Sequence, residues 1–548
     1  MTRANWYSSE PALTRILRRR LGPAYEKAKG RLEKMGDGAA NEGATLAQLA
    51  DRNGPRLVTH DRLGNRIDDI EYHPAYRQLQ QLGYGGGIVA ATYNPALAAE
   101  RGEAPKSLTF ALGYLFGQAE AGMFCPVCMT DGAAHLLDQH ATKELQERFI
   151  PPLASTDLST LYTGAMFLTE KEGGSDVGMV KTVAKGGKGV PGEAVTLYGD
   201  KWFCSNVDAD VIMILARPEG AGPGTKGLGL YVLPRTLEGK RNGYRIDRIK
   251  DKLGERSFPT GEVTLDGARA FLLGGPGEGF HQMTEMLNLS RLYNAVASVS
   301  GMRRALVEAL AWSETRVAFK KPVIQHPLMS EVLMDMACEQ RVALNWAFRG
   351  VALMDRMETR KASEEERRTL RMMTPLLKYW LGKRAVEVVQ EGVEALAGNG
   401  YIEDWPMARV LRDVHVLPIW EGTTNILVLD TFRAIKKEAG HEMLLAEVEK
   451  GLGEAPGELK ARLTQLTDEL KAGLAELAGD PRAEHALKDW TDRAALLWSV
   501  TTSLSKSAGF GTDTDVRAAR RVLARRAPVG LLRTDRATPE EVRAIAFS

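Results

Sequence analysis

MFLTEKEGGSD at 166–176 and PIWEGTTNI at 418–426 are the stretches on which the reading of this chain turns. In the first, Thr169, Ser175 and the Gly173–Gly174 pair can present hydroxyls and closely approached backbone amides to an anion or a flat ring. The same residues also make an ordinary polar turn. The second places one acidic residue, Glu421, between a large aromatic, Trp420, and a Gly-Thr-Thr-Asn turn. A carboxylate in such a setting is a candidate base, but spacing alone does not show that the two stretches meet.

Between and around them lie four weaker signals. DKWFCSN (200–206) supplies Trp202 and Phe203, which can flank a ring or simply pack a sheet core. TRVAFKKPVIQHPLM (315–329) offers Arg316 for a phosphate and Phe319 for stacking, or else a solvated arginine on a helix. ALAGNGY (395–401) is either a helix C-cap or a loop that approaches a cofactor. DKLGERSFPTGEV (251–263) completes the set.

The pattern of elements frames these motifs. Residues 1–160 read as helices and loops; ATKELQERFIPPLAS (141–155) has helical spacing and is expected to stop before its Pro pair. Residues 161–277 hold short β-prone runs, VTLYGDKWF, DVIMILAR, LGLYVLP and GEVTLDG, punctuated by Gly, Pro and Asp. Long helical periodicity returns over 278–440, and a further helical extension occupies 441–548, with GLGEAPGE (451–458) as the linker candidate. The expected class is α+β, mainly α: a helical domain, a middle β-domain, a helical bundle and an extra C-terminal helical domain.

Composition excludes little. The 548 residues are 44% apolar, enough for a large core, and 72 basic against 70 acidic residues give a net charge of +2. Four cysteines do not suggest a disulfide scaffold. No apolar run reaches the ~18 residues of a spanning helix, and the N-terminus lacks an apolar signal core, so cytoplasm is the expectation. CPVC (125–128) reads as buried structural thiols, Cys204 and Cys338 are isolated, and no metal site is expected. GYGGG (83–87) follows a helical rather than a strand pattern and is not a dinucleotide loop.

Taken in order, these segments resemble the acyl-CoA dehydrogenase family over about 160–430. CPVCMTDGA, HDRLGNRIDDIEYHPAY (60–76), NPALAAE (94–100), VIQHPLM and TTNILVLDTFR are similar to its AidB-like, alkylation-response branch. The resemblance implies FAD and a homotetramer; an electron-transfer flavoprotein is the partner expected if the chain is a conventional dehydrogenase. It puts Glu421 in the role of the base that takes the α-proton of an acyl-CoA thioester while the β-hydride passes to the flavin. It carries flavin contacts onto Met166, Leu168, Thr169, Gly174 and Ser175, onto Trp202, Phe203, Cys204 and Ser205, onto Arg316 and Phe319, and onto Trp420, Gly422, Thr423, Thr424 and Asn425. Two departures stand out: Glu394 where many members have Gln, and Lys320 where Gly is usual. An alternative base position, just before Arg291-Leu292, holds Ser290.

The branch is also associated with duplex DNA. Arg517, Arg520, Arg521 and Arg525 fall on one face of a predicted helix, with Arg526, Arg533 and Arg536 behind; Arg433, Lys436 and Lys437 form a second cluster. Such stripes contact phosphates without reading sequence. They also serve as solvated faces or pair with the acidic stretches 438–449 and 476–492. The rival readings are a conventional dehydrogenase of long or branched acyl chains, and a binding protein that keeps its flavin without catalysis.

Overall fold

A computed structural model describes residues 5–479, 483–527 and 538–547; Arg533 and Arg536 lie outside the described residues. The chain divides into two compact units, one of residues 1–40, 100–118 and 291–548, the other of 41–99 and 119–290. The N-terminal segment is thus shared between both units, and the C-terminal extension belongs to the same unit as the helices of 291–440.

In the second unit, one sheet runs Tyr244–Ile249, Thr260–Leu272, Ala194–Ser205, Val183–Lys185, Val211–Pro218, Gly164–Phe167. Gly229–Pro234 pairs with both Thr260–Leu272 and Val211–Pro218, which closes five of the strands into a ring. Closure leaves those strands few unpaired edges. Alternation places Leu197 in the core with Ile212, Ile214, Val263 and Leu265, and a bulge between Lys201 and Cys204 brings Cys204 to the same side. The helix Lys143–Leu153 runs through Pro151 and Pro152 instead of ending before them. The pair sits in the last turn, where few further amide bonds are forgone.

The first unit is helical. Pro327–Glu358 and Glu364–Ala395 are long helices; the second opens on a capping box, Ser363 with Glu366, and breaks at Ala397, whose φ is 53°. After Thr424–Glu438 a single left-handed residue, Ala439, turns the chain into Gly440–Gly453. The linker candidate proves to be a short break, since Gly457–Gly479 begins almost at once. Glu454 in that break accepts hydrogen bonds from the Lys506 and Ser507 amides, at 2.6 and 3.2 Å, so it is tied to the rest of the extension. Among the described residues, no helix is long and apolar enough to cross a membrane.

Candidate functional site

Glu421 sits in the turn that precedes Thr424–Glu438, with φ of 60°, and Gly422 follows at 108°. A left-handed conformation at a residue with a side chain costs about 1 kcal/mol, so neighbouring contacts must hold the turn. They do so through its carbonyls. Arg291 Nε donates to Glu421 O at 3.0 Å, and Lys378 Nζ donates to Gly422 O. Arg291 is committed further: it bonds Asp430 at 2.7 Å, and Asp430 also accepts from Arg371 at 2.8 Å. Burial would raise the Asp430 carboxyl, but Arg291 and Arg371 outweigh it and hold the group ionised.

The carboxylate of Glu421 is treated differently. Its Oε2 is enclosed and has no hydrogen-bond partner. Burial pushes its pKa up to about 7, against the pull of Arg291 and Lys378. Both cations bond to backbone carbonyls of the turn, and Arg291 also to Asp430, so neither neutralises the base. Trp420 Nε1 is likewise enclosed without a partner. Thr423 occupies the N-cap of the following helix, yet its hydroxyl makes no capping bond and stays available. Thr424 is partly covered and Asn425 exposed.

In the other unit, the loop of 166–176 and the strand Ala194–Ser205 are joined by a hydrogen bond from Trp202 N to Thr169 O at 2.9 Å. Beneath them lies a buried pair that sequence reasoning missed. Lys201 Nζ meets Glu170 Oε1 at 2.7 Å, with both side chains almost fully covered. Glu170 also accepts from the Lys181 and Thr182 amides, at 2.6 and 3.1 Å, and Lys201 donates to Leu215 O at 2.9 Å. Burial works against the Glu170 charge, but Lys201 and these donors hold its carboxyl below the usual range.

This pair anchors the loop and leaves Thr169 half-covered and Gly174 and Ser175 exposed, with Met166 and Leu168 partly covered below. A Cβ at Gly174 would come within 3.3 Å of Thr169, so glycine keeps the cradle open. Phe203 is 54% exposed, Trp202 and Ser205 are partly so, and Lys250 Nζ lies 3.7 Å from the Trp202 ring centroid. Cys204 requires a correction. A bulge between Lys201 and Cys204 breaks the strand alternation and turns its side chain into the sheet core, fully buried, so its backbone is what remains on offer to a ligand.

Arg316 and Phe319 belong to a small hairpin, Val317–Ala318 with Lys321–Pro322. Phe319 and Lys320 form its tip at φ of 51° and 69°, which explains why glycine is usual at the second position. Phe319 is 90% exposed, and Arg316 lies over Trp312. No hydrogen bond among the described residues joins this hairpin to the 420–425 turn.

The arginine stripe of Asp513–Arg526 is largely spent on the protein itself. Arg521 pairs with Glu331 and Asp335, Arg525 with Asp335 at 2.9 Å, and Arg526 with Glu339 and Glu387 at 2.7 and 2.8 Å. Arg517 pairs with Glu541 and Arg520 with Glu458. The acidic partners come mostly from the helices of 327–395, not from the acidic stretches near 438–449 and 476–492. On Thr424–Glu438, Arg433 lies 3.7 Å from Asp430, while Lys436 and Lys437 are exposed.

The family model of the AidB N-terminal domain ("Adaptive response protein AidB") matches residues 1–159; those of the acyl-CoA dehydrogenase middle and C-terminal domains match 165–268 and 277–436. The chain is 35% identical to acyl-CoA dehydrogenase family member 11 of Caenorhabditis elegans, over 86% of this chain and 77% of that protein. It is also 35% identical to the putative acyl-CoA dehydrogenase AidB of Escherichia coli K12, over 74% of each. The chain is an AidB-like member of the acyl-CoA dehydrogenase family. The solved C. elegans ACDH-11 in complex with C11-CoA superposes with a TM-score of 0.87 at 32% identity, covering 99% of this chain and 94% of that one.

Membership of this family carries FAD as the cofactor. The residues fit it on structural grounds: the open Gly174 cradle, the uncommitted Thr423 hydroxyl, and the enclosed, unpartnered Trp420 N–H. Within the unit that holds the sheet, the candidates to hold it are Thr169, Ser175, Trp202, Phe203 and Ser205; within the helical unit, taken by itself, they are Trp420, Thr423, Thr424 and Asn425. Besides Glu170 and Lys201, the motifs gave no sign of Arg291 or Lys378 as parts of the site. Each lies on a long helix far along the chain from the turn it braces. Lys201→Met is expected to lower FAD content in the purified protein by about tenfold and to reduce stability by about 3 kcal/mol, because it leaves the buried Glu170 without its counter-charge. Absorbance ratios and denaturant melts check both.

Proposed function

We propose that this AidB-like acyl-CoA dehydrogenase oxidises an acyl-CoA thioester, with Glu421 as the base that takes the α-proton. The observation that carries this reading is the enclosed, unpartnered Oε2 of Glu421, raised to about 7. A surface glutamate is ionised but weakly basic, and an ion-paired one is weaker still; a buried carboxylate near neutrality is matched to proton abstraction.

FAD, when bound, supplies the acceptor for the β-hydride. The chain does the rest. Arg291 and Lys378 hold the turn by its carbonyls, which aims the Glu421 side chain and keeps it clear of a neutralising partner. The Glu421 backbone N–H has no acceptor among the described residues and is free to donate to a thioester carbonyl. The CoA complex of the solved relative supports an acyl-CoA as the substrate class, with an electron-transfer flavoprotein as the expected acceptor.

Anaerobic titration with acyl-CoAs of increasing chain length is the test. Bleaching of the flavin band with one chain class identifies an enzyme. Full FAD occupancy with no bleaching moves the assignment to a flavin-containing binding protein. The rate of bleaching is expected to rise with pH and level off above about 7, because the base works only when ionised and its pKa is raised.

Duplex DNA contact is the secondary reading, and it is narrower than the charge stripes imply. With the arginines of Asp513–Arg526 paired inside the chain, its support is the exposed Lys436–Lys437 pair.

A further inference from the structure

Lys378 is an unusual residue for its place. It lies in the middle of Glu364–Ala395, and its side chain is completely buried. Arg291, the other cation at the turn, answers to Asp430 at 2.7 Å. Lys378 has no carboxylate within ion-pair distance among the described residues, and its one hydrogen bond goes to Gly422 O. Buried lysines without a counter-ion are costly and are retained where the charge or the donor serves something.

The helix is brought close for this contact. One turn on, a Cβ at Gly382 would meet Leu417 O at 3.2 Å and Pro418 N at 3.5 Å, so glycine there admits the backbone of the 417–422 segment. Asn294 Nδ2 holds Leu417 O from the opposite side at 3.1 Å. Lys378 therefore stands beneath a turn whose carboxylate, Glu421, is also enclosed without a partner. A fully buried ammonium and an enclosed carboxylate oxygen thus act on each other with no ion pair between them among the described residues.

We infer that Lys378 is a positioning residue for the Glu421 base: it clamps the left-handed turn through Gly422 O and supplies a buried positive charge beside the carboxylate that no ion pair cancels. This rests on the reading of Glu421 as the base. The groups that face the pair are Arg291 on the long helix, with its partner Asp430, and Lys383 on the lysine's own helix. Burial lowers the Lys378 ammonium to about 7, with Glu421 opposing and Arg291 and Lys383 adding to the shift.

The experiment follows the Glu421 carboxyl itself. Its protonated C=O band in infrared difference spectra of the FAD-loaded protein is assigned by its loss in Glu421→Gln. It is then titrated in the wild type, Lys378→Met, Lys378→Gln and Lys378→Arg. The midpoint is expected to rise by about one pH unit in Met and Gln and to stay near its original value in Arg, which keeps the charge. Bleaching by acyl-CoA at pH 7 then slows about fivefold in Gln and recovers at pH 9. Lys378→Gln keeps a donor for Gly422 O, so it remains informative where Met fails to fold. An unmoved midpoint in folded Lys378→Gln overturns the inference. A raised midpoint in a protein that no acyl-CoA bleaches supports it and defeats the proposed activity instead.

Discussion

Glu421→Gln is expected to leave the protein folded and yellow while slowing acyl-CoA-dependent bleaching by about 10³-fold, the usual span of a positioned base. The amide is nearly isosteric, so the turn, its carbonyl clamps and the flavin contacts survive. What is lost is the ability to accept a proton at Oε. Single-turnover spectra under anaerobic conditions check this, and a variant within threefold of wild type removes Glu421 from the role.

The same substitution has a second consequence, of opposite sign. The folded-state pKa of Glu421 is raised above its unfolded value, so the folded protein binds the extra proton between those two values. Any stability from that proton is present at low pH and disappears as pH rises through about 7. At pH 8 the ionised carboxylate is buried without a partner, and replacing it with an uncharged amide relieves that cost. Glu421→Gln is therefore expected to be the more stable protein at pH 8, by about 2 kcal/mol, with the gap closing towards pH 5. Thermal melts at the two pH values show whether activity here is gained against stability.

The largest loss of stability is expected from Asp515→Ala. Asp515 is completely buried and bonds Arg341 at 2.6 Å, Arg15 at 3.0 Å and Asn345 at 3.0 Å. It also closes the capping box with Thr512 that starts Asp513–Arg526. Removing it takes a carboxylate from the Arg341 guanidinium, whose side chain is 2% exposed, and deletes a helix cap. A broken buried pair costs about 3–5 kcal/mol, and the cap about 1 more. Burial raises the Asp515 carboxyl, but Arg341, Arg15 and Asn345 overcome it and hold the pKa low. Its contribution is thus present above the ordinary carboxylate range and fades as pH falls through the depressed value. Denaturant melts of wild type and variant at pH 7 measure the difference.

The chemistry of the site was legible where it rests on contiguous words. WEGTTN puts a carboxylate, a glycine turn and free hydroxyls into six residues, and LTEKEGGSD does the same for a cradle, so resemblance alone located them. The helix–sheet–helix order was legible for a related reason: periods of two and of about three and a half are local properties of the chain. The helices Pro327–Glu358 and Glu364–Ala395 and the strand Ala194–Ser205 all lie where those patterns place them.

Charge was where linear reading failed. Arg517 to Arg526 look like a basic face because their carboxylate partners, such as Glu331, Asp335 and Glu339, lie nearly two hundred residues earlier. Cys204 looked like a cofactor contact because its neighbours share the resemblance, but a bulge in the strand turns it inward.

By itself, then, the sequence determined the fold class and the family and singled out a candidate base, because each is written in short-range pattern. Only the tertiary structure decided that Glu421 is left without a partner while Arg291 and Lys378 are held to the carbonyls beside it. Burial and pairing depend on which distant helices meet the turn, and the basicity of a carboxylate is set by those surroundings rather than by its neighbours in the chain.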